Sequence, residues 1–256
     1  MKKSIHFLKA QLIWLLVLFV GVAQSKTKNI YFLGGNASNV EAPTISKEFK
    51  KVENYNFTYS ITDDTKLPKL TKAKFDFVWL GQGEICENGY KFTPEGSKAV
   101  VKFVKEGGIC INVEQDHDDN IGCRPMDWFP VKMDGAERPG TQTFTPTDKE
   151  EVGTLFTKPN KIKSIRANDK WHNADKSVIP LASNDAGDYM IAALLKHGKG
   201  AYIITAMQNE NQGQVDLNRD FIENILFYAA NLQDILLSVE ARDKLSIAWG
   251  KLKTNR

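Results

Sequence analysis

Gly107-Gly108-Ile109-Cys110-Ile111-Asn112-Val113 runs directly into Glu114-Gln115-Asp116-His117-Asp118-Asp119. The first seven residues read as a helix stop followed by a buried strand, because glycine ends helices and a short apolar run between turn signals packs on both faces. Upstream, Thr93 caps a helical pattern with Pro94 at its first position and Glu95 in its first turn. Val100, Val101, Phe103 and Val104 supply the buried side of that helix. Before it, Phe75 to Leu80 is apolar nearly throughout, as a doubly covered strand should be. Strand, helix, strand of this length is a parallel crossover unit, so the pattern predicts an α/β, doubly wound, mostly parallel sheet.

The same pattern extends outward in both directions. Asn29 to Leu33 is a strand ending in the turn Gly34-Gly35-Asn36, Thr44 to Val52 reads as a short helix, and Asn56 to Ile61 is a second strand. Residues 116 to 148 carry Pro125, Pro130, Pro139 and Pro146 and no periodicity, which marks a long insertion after the central strand. Beyond it, Lys149 to Phe156 is a helical candidate, and Ile162 to Arg166 and Val178 to Leu181 are short strands. Tyr189 to Lys196 and Gly200 to Thr205 flank His197-Gly198-Lys199 as a hairpin. Phe221, Ile225, Tyr228 and Leu232 recur on one helical face, and a C-terminal helix follows, with Leu245, Trp249 and Leu252 on one stripe.

Residues 1–25 read as a signal peptide rather than as part of the fold. Lys2, Lys3 and Lys9 are followed by the apolar run Leu12 to Val20 and by Ala23-Gln24-Ser25, the small residues a signal peptidase reads. The run is short of the roughly 20 apolar residues of a spanning helix, so cleavage is favoured over an uncleaved anchor and no stable membrane span is expected afterwards. The expected organisation is residues 26–233 as one α/β domain and 234–256 as a helical tail, in a secreted or periplasmic protein. The whole chain carries +3, and losing three lysines with no acid leaves the remainder neutral. A neutral domain lacks the basic footprint of nucleic-acid binding, and that class is set aside. Cys86 and Cys123 each follow a strand end at one predicted edge, where an oxidising compartment would let them pair; the loop closed is worth roughly 4 kcal/mol on the chain-entropy model. Two free thiols remain the alternative, since sequence does not fix their separation. Cys110 reads as a small core residue.

Candidate functional groups gather at the predicted carboxyl ends of the strands, where an open α/β sheet holds its ligand. Four acids, an amide and a histidine follow Val113. Glu84, Glu114, Asp116 and His117 are candidate ligands for a divalent metal ion, because carboxylates suit calcium or magnesium and a histidine also admits zinc. A solvated acidic loop is the plainer reading. No cofactor is required by any pattern. Asp169, Trp171 and His172 form a second group, with a histidine near a carboxylate but no serine or cysteine to activate. Trp128 and Trp171 are candidates for stacking on a sugar ring, or else anchors of the insertion on the core. Gln82, Gln115 and Gln208 add amides at the same edge.

Phe75-Asp76-Phe77-Val78-Trp79-Leu80, Pro94-Glu95, Phe103 to Gly108 and the strand to Val113, with Pro180-Leu181-Ala182 and Gly198 to Ala206, together resemble a known family. The pattern is similar to the trehalose-utilisation (ThuA-like) group of the class I glutamine amidotransferase-like superfamily, over most of Lys28 to Leu232. The resemblance implies a flavodoxin-like doubly wound sheet. It also implies a role in carbohydrate handling, with a carbohydrate or other small-molecule ligand as partner. The Gly-x-Cys-x-Gly elbow of class I amidotransferases is missing: Glu114-Gln115 stands at the strand end, and Cys110 lies too early. Where the group often carries Gly-His, this chain has Met207-Gln208, and His117 matches another family histidine only loosely. The sequence therefore points to ligand binding or a degenerate enzyme. Its alternatives are a metal-dependent hydrolase or isomerase using the acidic/His cluster, and a structural or interaction domain. The crevice is expected where the strands ending at Gly34, Gln82 and Glu114 open, covered by the insertion that bears Trp128 and reached by Gln208.

Overall fold

The computed structural model describes residues 25–34, 40–81, 92–113 and 127–254, with side chains as far as 239. In chain order the elements are β1 (Lys26–Leu33), α1 (Glu41–Glu48), β2 (Lys51–Val52), β3 (Tyr55–Thr62), β4 (Phe77–Leu80), α2 (Pro94–Lys105) and β5 (Ile109–Asn112). There follow β6 (Asp134–Thr143), β7 (Thr145–Pro146), a 3₁₀ turn at Glu150–Val152, β8 (Ser164–His172), β9 (Ile179–Ser183), β10 (Met190–His197), β11 (Gly200–Thr205) and α3 (Gln212–Thr254).

The described strands form one sheet in the order β2-β3-β1-β4-β5-β11-β10-β8-β6, with β9 on β10 and β7 on β9. β3, β1, β4, β5 and β11 run parallel. Counted among themselves they have the order 2-1-3-4-5, the flavodoxin-like arrangement, whose switch point lies between the first and third strands. Here those are β1 and β4. An antiparallel flank of β10, β8 and β6 continues from β11.

Crossovers are right-handed, so the connection from β1 leftward to β3 and the one from β4 rightward to β5 put their helices on opposite faces. α1 and α3 share one face: Thr44 donates to Gln212 at 3.1 Å, and Arg219 pairs with Glu48. α2 covers the other. Its start is as the sequence reads, with Thr93 Oγ1 accepting from the Gly96 N–H at 3.1 Å. Its end is a Schellman motif: Gly107 at φ 109° donates to Val104, and Gly108 donates to Phe103. Every residue of β4, β5 and β11 is buried.

Several boundaries differ from the sequence reading. The first helix occupies 41–48 instead of 44–52, since Pro43 falls in its first turn, where a missing N–H costs nothing. The insertion contains a ten-residue strand, β6. Pro139 sits at a register shift between Glu137 and Gly140 on this outer strand, a place that tolerates proline but hides the alternation. Residues 149–156 hold only the 3₁₀ turn. The last two helical patterns are one continuous helix, α3, which runs through the expected boundary at 233/234.

Candidate functional site at the carboxyl edge

β1, β4 and β5 end side by side at Leu33, Leu80 and Asn112, with the start of α1 and the turn after β11 at the same edge. Strand alternation sets which side each residue serves. Phe32 and Trp79 are partners in register and stack with ring centroids 5.4 Å apart on the α1/α3 face. Asn112 alternates with Ile111, the partner of Trp79, and so belongs to the α2 face.

On the α1/α3 side a fully buried carboxylate, Glu41, occupies the switch point. Glu41 is the first residue of α1, where the helix dipole favours an acid. Its Oε1 accepts from Trp79 Nε1 at 3.2 Å and from Asn209 Nδ2 at 2.8 Å. Asn209 Oδ1 accepts in turn from Asn218 Nδ2 at 3.1 Å. Asn218, on α3, also accepts from the Arg166 N–H at 2.8 Å and donates to the Arg166 and Gln208 carbonyls. One hydrogen-bonded chain therefore ties β4, α1, the turn after β11, α3 and β8 together. Gly81 lets the strand ends close around it: its N–H donates to Leu33 O at 2.9 Å, and a Cβ there would lie 3.0 Å from Glu41 Oε2.

The α2 side is different. Asn112 is fully buried at the end of the central strand, and its backbone carbonyl accepts from Thr205 Oγ1 at 3.0 Å. Neither its amide nitrogen nor its amide oxygen has a partner among the described residues. Gln208 is 4% exposed, and its Oε1 is likewise unpaired among them. Buried polar groups are nearly always bonded, and leaving one bare costs about 1–3 kcal/mol. Both amides can donate and accept, so together they suit a neutral ligand rich in hydroxyls.

Cys110 lies one layer deeper on the same side, fully buried, and burial pushes its thiol well above the ordinary value. A thiol held neutral inside a strand is no nucleophile.

Of the residues singled out in sequence, Gln208 stands at this edge. Trp128 and Trp171 do not. Trp128 is 2% exposed and packs with Phe129 on Tyr202, in the middle of β11 on the α2 face. Trp171 is fully buried and donates from Nε1 to Thr205 O at 3.1 Å. His172 is half-buried at the far end of β8, opposite Asp134. Gln82, Glu84, Glu114, Gln115, Asp116, His117, Cys86 and Cys123 lie outside the described residues. Among the described residues no group of three or more His, Cys, Asp or Glu side chains could hold a metal ion. Sequence reasoning missed Glu41, Asn112 and Asn218. The signal for Asn112 was present, an amide closing an otherwise apolar strand.

No family model and no curated protein matches this chain. Solved structures do. A putative ThuA-like protein from Bacteroides uniformis matches with a TM-score of 0.52 at 14% identity, covering 82% of this chain and 93% of that one. The fold is ThuA-like. A cytoplasmic protein from Salmonella typhimurium gives a TM-score of 0.53 at 7% identity, with 80% and 98% covered. The mmIFT52 N-terminal domain gives 0.51 at 10%, with 80% and 97% covered. At such identities what is shared is the fold, and function is argued from the site. On the ThuA-like fold of this chain, the polar residues just described sit at the ends of the parallel strands, where an open α/β sheet leaves its crevice.

Proposed function

We propose that this chain is an extracytoplasmic ThuA-like domain that binds a neutral, hydroxyl-rich small molecule, a carbohydrate in class, and does not carry out acyl transfer. The observation that carries the reading is Asn112, a buried amide at the end of the central strand with both polar atoms unspent among the described residues. Gln208 supports it from the turn after β11. Sugar hydroxyls donate and accept at once, so one hydroxyl pair can satisfy an amide at both atoms. The carbohydrate class follows the sequence resemblance, and the extracytoplasmic location follows the leader-like residues 1–25. The buried Cys110 supports the absence of amidotransferase chemistry, which needs an accessible thiolate.

Calorimetric titration with a panel of neutral mono- and disaccharides tests the binding. At least one sugar should bind, and Asn112→Ala should weaken it by about tenfold, the cost of one lost buried hydrogen-bonding group. A panel without binders, or equal binding by Asn112→Ala, would overturn the reading. Glutamine should release no ammonia above background. Release that disappears in Cys110→Ala would restore the hydrolytic alternative.

A further inference from the structure

α3 is longer than the sheet it covers. Gln233 Nε2 donates to the carbonyls of Asp76 and Gly107, and Asp234 accepts from Lys26 and Lys28, so these two residues mark the amino edge of the parallel strands. The helix continues to Thr254, about 30 Å further at 1.5 Å per residue. Past Asp234 its apolar residues lose their cover: Ile235 is 59% exposed, Leu237 40% and Val239 50%. They continue a stripe from Tyr228 and Leu232, which line a groove of about 500 Å³ against Gly153 and Thr154.

We propose that this overhanging part of α3 lies on an anionic lipid surface. Three features select that occupant. An apolar stripe on a helix too polar to span suits the plane of a bilayer interface, and no helix among the described residues is long and apolar enough to cross a membrane. The chain from Lys244 to its end carries Lys244, Lys251, Lys253 and Arg256 and no acid, a charge that complements anionic headgroups. The overhang also starts beside the point where the chain enters the fold: Lys26 Nζ bonds Asp234 at 2.7 Å, so residues 1–25 and the overhang leave the domain at one pole. A leader threaded through a membrane would hold that pole towards it.

Flotation of the protein as the cell processes it tests the proposal, with vesicles of phosphatidylcholine alone and with about a quarter phosphatidylglycerol. The protein should float with the anionic vesicles, release in high salt, and stay behind with phosphatidylcholine alone. Leu237→Glu combined with Val239→Glu should lower the bound fraction by about tenfold, since a leucine-sized side chain is withdrawn from the interface. Both positions are exposed, so the melting temperature should hold. Leu217→Glu, at a 69% exposed position near the other end of α3, should float like the parent. Equal flotation of the double variant, or binding indifferent to lipid charge, overturns the proposal. So does a dimer in vesicle-free light scattering that the double variant splits, because a second copy would then cover this face.

Discussion

A methyl group on residue 81 would stand 2.6 Å from the Leu33 carbonyl oxygen and 3.0 Å from a Glu41 carboxylate oxygen. The Gly81 N–H already donates to that same Leu33 oxygen, so the strand ends cannot part without breaking a ladder bond. Gly81→Ala is therefore expected to destabilise the protein by about 1–3 kcal/mol, the usual cost of overpacking. The effect should appear as a lower urea midpoint at an unchanged slope. A midpoint equal to that of the parent would mean that the switch point is looser than this contact implies. At this scale the sequence showed residue types but not their pairings. Asn209 was legible as an amide after a strand, and Trp171 as an aromatic near an acid. Glu41 was hidden, because its role depends on Trp79 and Asn209, which are distant in sequence, and because Pro43 disguised the helix that carries it.

At the scale of elements, α3 is fastened to β1 through one carboxylate. Asp234 accepts from Lys26 at 2.7 Å, Lys28 at 2.8 Å and the Tyr55 hydroxyl at 2.9 Å. Burial opposes the charge on Asp234, but the three hydrogen bonds and the Lys28 charge prevail and hold its carboxyl below the ordinary aspartate value. A carboxyl whose folded pKa is depressed contributes stability that is present above its unfolded pKa and lost as pH falls through the folded one. His197 acts in the same direction at milder pH: burial, and then the Lys105 charge, push its imidazole below the ordinary histidine value. The fold thus prefers neutral His197, and stability falls as pH drops from the ordinary histidine value towards the folded one. Urea midpoints across acid pH should show both losses. Asp234→Asn should flatten the more acidic one and His197→Ala the milder one; unchanged profiles would show that other groups govern the acid limb. The sequence reading divided the chain at 233/234 because the apolar stripe changes face there. The backbone does not divide, and those two residues are instead the anchor.

For the whole molecule, the parallel core was legible because its strands are short, apolar and separated by capped helices, and each of those signals is local. The antiparallel flank was less so: β6 crosses a proline and a register shift, and β8 extends well beyond its apolar start. The ligand chemistry was legible least, since the acidic and histidine residues that drew attention in sequence fall outside the described residues. The same whole-chain view bears on export. β1 begins at Lys26, whose N–H donates to Asn54 O at 3.1 Å and whose ammonium pairs with Asp234. Cleavage after Ser25 would leave both bonds intact, because the new amino group can still donate to Asn54. Cleavage a few residues later would remove the Lys26 and Lys28 bonds that hold α3, so the fold itself limits where processing can fall. N-terminal sequencing of protein from the extracytoplasmic fraction should therefore begin at or just before Lys26. An intact Met1 in that fraction would mean that the leader is retained, and a start beyond Lys28 would mean that the clamp on Asp234 is dispensable.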